Sequence, residues 1–127
     1  MSDGVFLDTN ILVWLADRRI SKLSKNAKYT IQHNRLLYSP MVRLELEYLH
    51  EIGKAKHPAA VALEKVVNEV QIAESSTSFR DVCSAACRIG WTRETFDRLI
   101  VAEAACHKAK LVTADEKILQ HYPLAVW

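Results

Sequence analysis

The chain has 127 residues, half of them hydrophobic and a quarter charged, which suits one core of ordinary size and excludes an extensively disordered protein. Its longest apolar runs are a few residues, too short to span a bilayer, and a formal charge of +2 does not by itself point to a nucleic-acid partner. Cys83, Cys87 and Cys106 form no CxxC pair and read as reduced thiols, so neither a disulfide scaffold nor a zinc site with His107 is expected.

Residues 1–4 lead, without a basic region or an apolar segment of signal-peptide length, into the short apolar run 5–7, which ends at Asp8. A cytoplasmic chain forming one domain over residues 1–127 is the expectation. Residues 10–16 and 22–33 read as helices, the second opened by Ser21 or Ser24. A second apolar strand, 36–38, is followed by Ser39 and Pro40, a strong helix start because Ser caps free amides and Pro tolerates the first helical position. That helix runs to about Ile52 and stops at Gly53. A helix over 58–69 and a strand over 70–73 come next. Further helices are predicted over 79–89, between Ser78 and Gly90, and over 94–108, with Thr92 or Thr95 as cap. Strands over 111–113 and 124–127 complete the chain, with no element predicted between Asp115 and Leu124. The strands are short, apolar and unalternating, as expected when both faces are covered, and their alternation with helices argues an α/β fold around a parallel sheet.

Fifteen acidic residues are too many to be informative as a list; helix geometry singles out a few. On the helix that begins at Pro40, Glu45 has Met41, Tyr48, Leu49 and Ile52 at i−4, i+3, i+4 and i+7, which carries it toward the core edge. Glu47 has Arg43, His50, Glu51 and Lys54 in equivalent relations and belongs to the wet face. Asp97 lies in the first turn of its helix, with Ile100, Val101 and Ala104 ahead of it, where the helix dipole favours a negative charge. Asp8 and Asp115 follow apolar strands directly, as "VFLD" and "KLVTAD", and so stand at strand carboxyl ends, where parallel α/β sheets place their ligand sites.

Four carboxylates converging from two strand ends and two helices would repel one another unless protonated or neutralised, and a divalent cation resolves the conflict. Hard cations such as Mg²⁺ or Mn²⁺ take oxygen ligands and suit a cluster of Asp and Glu without His or Cys. Such a cation lowers the pKa of a bound water and offsets charge on a phosphate under attack, the chemistry of a metal-dependent nuclease. The five histidines show no metal-ligand spacing, and three glycines leave no phosphate-binding loop.

The segments "FLDTNILVWLAD", "SPMVRLELEYL", "RETFDRLIVAEA" and "KLVTADEKI", in this order and spacing, resemble the four signature segments of PIN domains, and the short length and the terminal "YPLAVW" are similar to the VapC-like toxins of prokaryotic toxin-antitoxin pairs. The resemblance implies a three-layer α/β/α sandwich around a parallel sheet of about five strands. It implies a ribonuclease in which Asp8, Glu45, Asp97 and Asp115 hold one or two Mg²⁺ or Mn²⁺ ions. Thr9 or Asn10 and Thr113 match polar positions of the pocket, and Glu94 an accessory position that is often acidic. Lys117 stands where some relatives carry a further acid. Implied partners are an RNA substrate, with transfer RNA favoured, a VapB-like antitoxin and a second copy in a homodimer. Arg18, Arg19, Lys22 and Arg43 are the residues expected to hold phosphates at the rim. Two other readings accompany this one. One is a PIN-like scaffold that binds without cleaving, and the other a receiver-type phospho-acceptor domain, which the solitary position of Asp8 after the first strand disfavours.

Overall fold

The computed structural model describes residues 4–127; residues 1–3, part of the stretch on which the expectation of no leader rests, lie outside them. The described chain alternates strands and helices from end to end: β1 (Val5–Leu7), α1 (Thr9–Ala16), α2 (Lys25–His33), β2 (Leu36–Tyr38), α3 (Pro40–Glu51), α4 (Ala59–Glu69), β3 (Ile72–Glu74), α5 (Phe79–Ala86), α6 (Thr95–Cys106), β4 (Leu111–Val112), α7 (Glu116–His121) and β5 (Ala125–Val126). All four strand pairings are parallel, in the order β3-β2-β1-β4-β5. Right-handed crossovers put the helices that connect β1 to β2 to β3 over one face and those that lead to β4 and β5 over the other. Packing of α1 and α3 on α4, and of α5 on α6, follows that division.

The three central strands are fully buried, as unalternating apolar runs require, with Phe6, Leu7, Leu111 and Val112 wholly excluded from solvent. The edge strands differ from expectation. β3 begins at Ile72 and is largely exposed, and β5 is half-buried, because each has a neighbour on one side only. Val70, expected in the strand, is instead the residue that closes α4, its N–H donated to the Val66 carbonyl.

Most helix starts follow local chemistry. The Ser24 hydroxyl accepts from Ala27 N, so α2 begins at Lys25, and a separate 3-10 turn (Ile20–Lys22) precedes it. Ser39 caps α3 with Pro40 at its first position, and Ser78 caps α5. Gly53, with φ of +79°, reverses the chain after α3. Three boundaries depart from the sequence reading. Glu94, not a threonine, precedes α6 and gives no side-chain cap; Thr92 Oγ1 accepts from Glu94 N instead. α5 ends at Ala86, whose carbonyl accepts from Arg98 Nε of α6. The helix α7, unpredicted, starts where Asp115 Oδ1 accepts from Ile118 N.

Candidate functional site

Strand order reverses direction between β1 and β4: from β1 the chain moves outward through β2 to β3, then returns to β4 on the other side. Crossovers therefore diverge above the carboxyl ends of these two neighbours and leave a crevice there. Asp8 leaves β1 at that crevice, and Thr113 and Asp115 leave β4. Asp8 is 5% exposed, and both of its oxygens are held: Oδ1 accepts from Thr9 N at 2.8 Å, which caps α1, and Oδ2 from Thr113 Oγ1 at 2.7 Å. Thr113, fully buried, also accepts from Asp115 N at 3.0 Å, which ties the two strand ends together.

Glu45 reaches the same place from α3, half-buried, with Thr9 Oγ1 donating to Oε1 at 2.5 Å. Asp97, in the first turn of α6, is half-buried beside them. Asp8, Glu45 and Asp97 each offer a carboxylate oxygen, and these oxygens lie within 4.8 Å of one another. Asp115 stands beside this trio rather than inside it, with one oxygen engaged at the start of α7. It shares a groove of about 570 Å³ with Glu45, Asp97, Glu94 and Asn10.

The charges are poorly hydrated and mutually repulsive. Burial pushes Asp8 above the usual carboxylate range, against the opposing hydrogen bonds from Thr113 and Thr9, and Asp115 adds repulsion. Glu45 is raised by burial and by Asp8, Glu94 and Asp115, with the Thr9 hydroxyl acting against them. Asp97 is raised to about 7 by burial first and then by Asp8, Glu45, Asp115 and Glu94. Among the described residues no cationic side chain is ion-paired with any of these four. Three hard oxygen donors at this spacing, without a counter-charge, fit a divalent cation with retained waters. This trio is the metal-sized group among the described residues; the cysteines and His107 do not assemble one.

Basic residues divide differently from the expectation. Arg18 is spent on Glu69 at 3.0 Å, and Arg43 on Glu74 at 2.8 Å, over the β2–β3 edge and beside Tyr38. Lys22 sits exposed in the 3-10 turn and does not line the groove. Arg19 does line it, and so does Lys54, which sequence reasoning missed; the signal was its place directly after Gly53, where the chain turns back toward the Leu49 carbonyl. Glu47 is also not a mere solvated charge, since its Oε1 accepts from Ala59 N and caps α4. A further acid, Glu103 of α6, is 3% exposed and takes the Ser39 hydroxyl at 2.8 Å, while its other oxygen has no partner.

The profile of the PIN domain family matches residues 5–123. No curated protein matches the chain significantly. Among solved structures, a toxin-antitoxin complex from Klebsiella pneumoniae superposes with a TM-score of 0.64 at 17% identity, over 97% of this chain and 96% of the other. VapBC2 from Rickettsia felis, bound to a DNA fragment from its promoter, gives 0.66 at 22% identity, over 96% and 95%. VapBC-1 from nontypeable Haemophilus influenzae gives 0.52 at 20%, over 91% and 90%. At these identities the likeness is one of fold.

Proposed function

This chain belongs to the PIN domain family, and from that premise we propose that it is a metal-dependent endoribonuclease, the VapC-like toxin of a toxin-antitoxin pair. The observation that carries the reading is the meeting of Asp8, Glu45 and Asp97 at the carboxyl end of β1 with no side-chain cation to neutralise them. Family membership also removes the receiver-type alternative.

In this reading Asp8, Glu45 and Asp97 hold one or two Mg²⁺ or Mn²⁺ ions, with Asp115 contributing from the side. A divalent cation bound there supplies Lewis acidity toward a phosphodiester and lowers the pKa of water. The chain's own residues do the positioning. Thr9 links two of the carboxylates, since its amide fixes Asp8 and its hydroxyl fixes Glu45. Thr113 fixes the second oxygen of Asp8 and, through the Asp115 amide, the loop after β4. Asp97 has the highest proton affinity of the set, which suits it to take up a proton when no cation neutralises the cluster. Glu94 and Asn10 line the groove and bear on whatever nucleotide enters it.

The substrate we assign is RNA, with transfer RNA as the first choice from the resemblance. The partner is a VapB-like antitoxin, a reading supported by the VapBC complexes among the similar folds. The chain acts in the cytoplasm as one domain over residues 1–127 and as a homodimer. None of its helices is long and apolar enough to cross a membrane, among the described residues. The scaffold alternative is separated by one variant. Asp8→Asn keeps shape and removes charge; it is expected to abolish Mg²⁺- or Mn²⁺-dependent cleavage of transfer RNA and growth arrest on induction. Undiminished cleavage by that variant would refute the assignment, and an unmodified chain that binds RNA without cutting it would favour the scaffold.

A further inference from the structure

The groove that holds the carboxylates is not acidic throughout. Along α1, Asn10, Val13 and Trp14 line it at i, i+3 and i+4, and Leu49 of α3 adds a second apolar contact. Trp14 is a fixed surface: its ring lies 6.1 Å from that of Trp127, tilted 53°, and the Trp127 carbonyl accepts from Asn26 Nδ2 at 3.2 Å. Beyond the apolar wall stand Arg19 and Lys54. A second cavity of about 280 Å³ shares those two residues and adds Lys56. The two cavities therefore form one path that runs from carboxylates, past an indole, to three cations. Among the described residues none of Arg19, Lys54 and Lys56 has an ion-pair partner, in contrast to Arg18 and Arg43.

We propose that this path is a track for an unpaired stretch of RNA, with a base stacked on Trp14 and the neighbouring phosphates held by Arg19, Lys54 and Lys56. The inference rests on the nuclease reading for the chemistry it serves. Phosphates are repelled from a cluster of carboxylates, so binding has to be supplied by cations further along the same groove. An indole set in the wall between them favours a splayed base, because a base inside a duplex offers no free face. Single-stranded RNA or a loop is thus the substrate class, and a continuous duplex is excluded from the track.

The test uses the whole chain carrying Asp8→Asn, so that RNA survives, and fluorescence anisotropy of a labelled oligouridylate of about 12 nucleotides. A perfectly paired RNA hairpin is the comparison. The single strand is expected to bind about tenfold more tightly. Lys54→Ala and Lys56→Ala should each lower the slope of log K against log salt by about one. Trp14→Leu should weaken single-strand binding by about tenfold with the salt slope unchanged, and Trp14→Phe should restore most of it. If Trp14→Leu fails to fold by circular dichroism, Trp14→Phe and the lysine variants decide. Equal binding of the two RNAs, or lysine variants with an unchanged salt slope, would overturn the track. Cleavage by the unmodified chain with Mn²⁺ separates the two readings. Variants that bind weakly while the unmodified chain cuts nothing remove the nuclease and keep the track. Efficient cutting with unaltered lysine variants does the reverse.

Discussion

Asp97 carries its proton to about 7 in the folded chain against an ordinary 3.8, a displacement caused by burial and then by its four acidic neighbours. Between those two values the folded state binds more protons than the unfolded one, so this group favours folding in acid and loses that contribution as pH rises through 7. Asp8 and Glu45 are displaced in the same direction. The metal-free chain is therefore expected to melt at a lower temperature at pH 8 than at pH 5.5. Discounted for the exposed half of Asp97, the loss is about 1 kcal/mol. Adding Mn²⁺ should reverse it at pH 8 and do little at pH 5.5; calorimetric scans with and without chelator check both arms, and a melting temperature indifferent to pH would remove the crowding argument. At the same scale, Thr113→Val preserves volume while deleting the donor to Asp8 and the acceptor for Asp115 N. About 2 kcal/mol of stability should go, since two buried groups lose a partner. Single-turnover cleavage should fall at least tenfold, because Asp8 is no longer held on both oxygens.

The helices show how local chemistry and tertiary contact share the work. Ser39 begins α3 by accepting from Met41 N and donates its own proton to the buried Glu103 of α6. Ser39→Ala removes a cap, about 1 kcal/mol, and strips Glu103 of its remaining partner. A total loss of about 2–3 kcal/mol in urea denaturation is expected, with Ser39→Thr close to the unmodified chain; a loss below 1 kcal/mol would mean that the Ser39–Glu103 bond contributes nothing. The starts of α2, α3 and α5 were legible because a serine hydroxyl and the amides it caps lie within three residues. The end of α5 was not, because a side chain from α6 claims the Ala86 carbonyl. The six-residue α7 is too short for periodicity to register, and the aspartate that starts it is the one read as a site residue. Glu47 was misplaced for the same kind of reason: its neighbours on α3 are polar, yet the amide it caps belongs to α4.

Across the molecule, Leu44, Tyr48 and Ile52 form an exposed stripe at i, i+4 and i+8 on α3, and Phe79 at the start of α5 is 70% exposed. Leu44 and Phe79 also line a largely apolar cavity of about 290 Å³ between α3, α5 and α6. Exposed apolar surface of this kind supports the homodimer reading. Leu44→Asp combined with Phe79→Asp is expected to shift the sedimentation of the chain from dimer to monomer while circular dichroism stays unchanged; a dimer that persists would place the interface elsewhere.

What the sequence determined by itself was the class of the fold and the local identity of the site. Unalternating apolar runs separated by capped helices specify a parallel α/β sheet, and apolar neighbours at helical spacing mark Glu45 and Asp97 as carboxylates turned inward. These signals are local, and local spacing is what the helix and strand periods fix. The tertiary structure alone decided which charges meet. It set Asp115 beside the trio rather than within it, gave Arg18 and Arg43 acidic partners from other elements, and left Arg19 and Lys54 free along the groove. The reason is that partners 30 to 50 residues apart, such as Arg18 and Glu69 or Arg43 and Glu74, are joined by the strand order, and strand order is set by packing of the whole sheet rather than by any stretch of the chain.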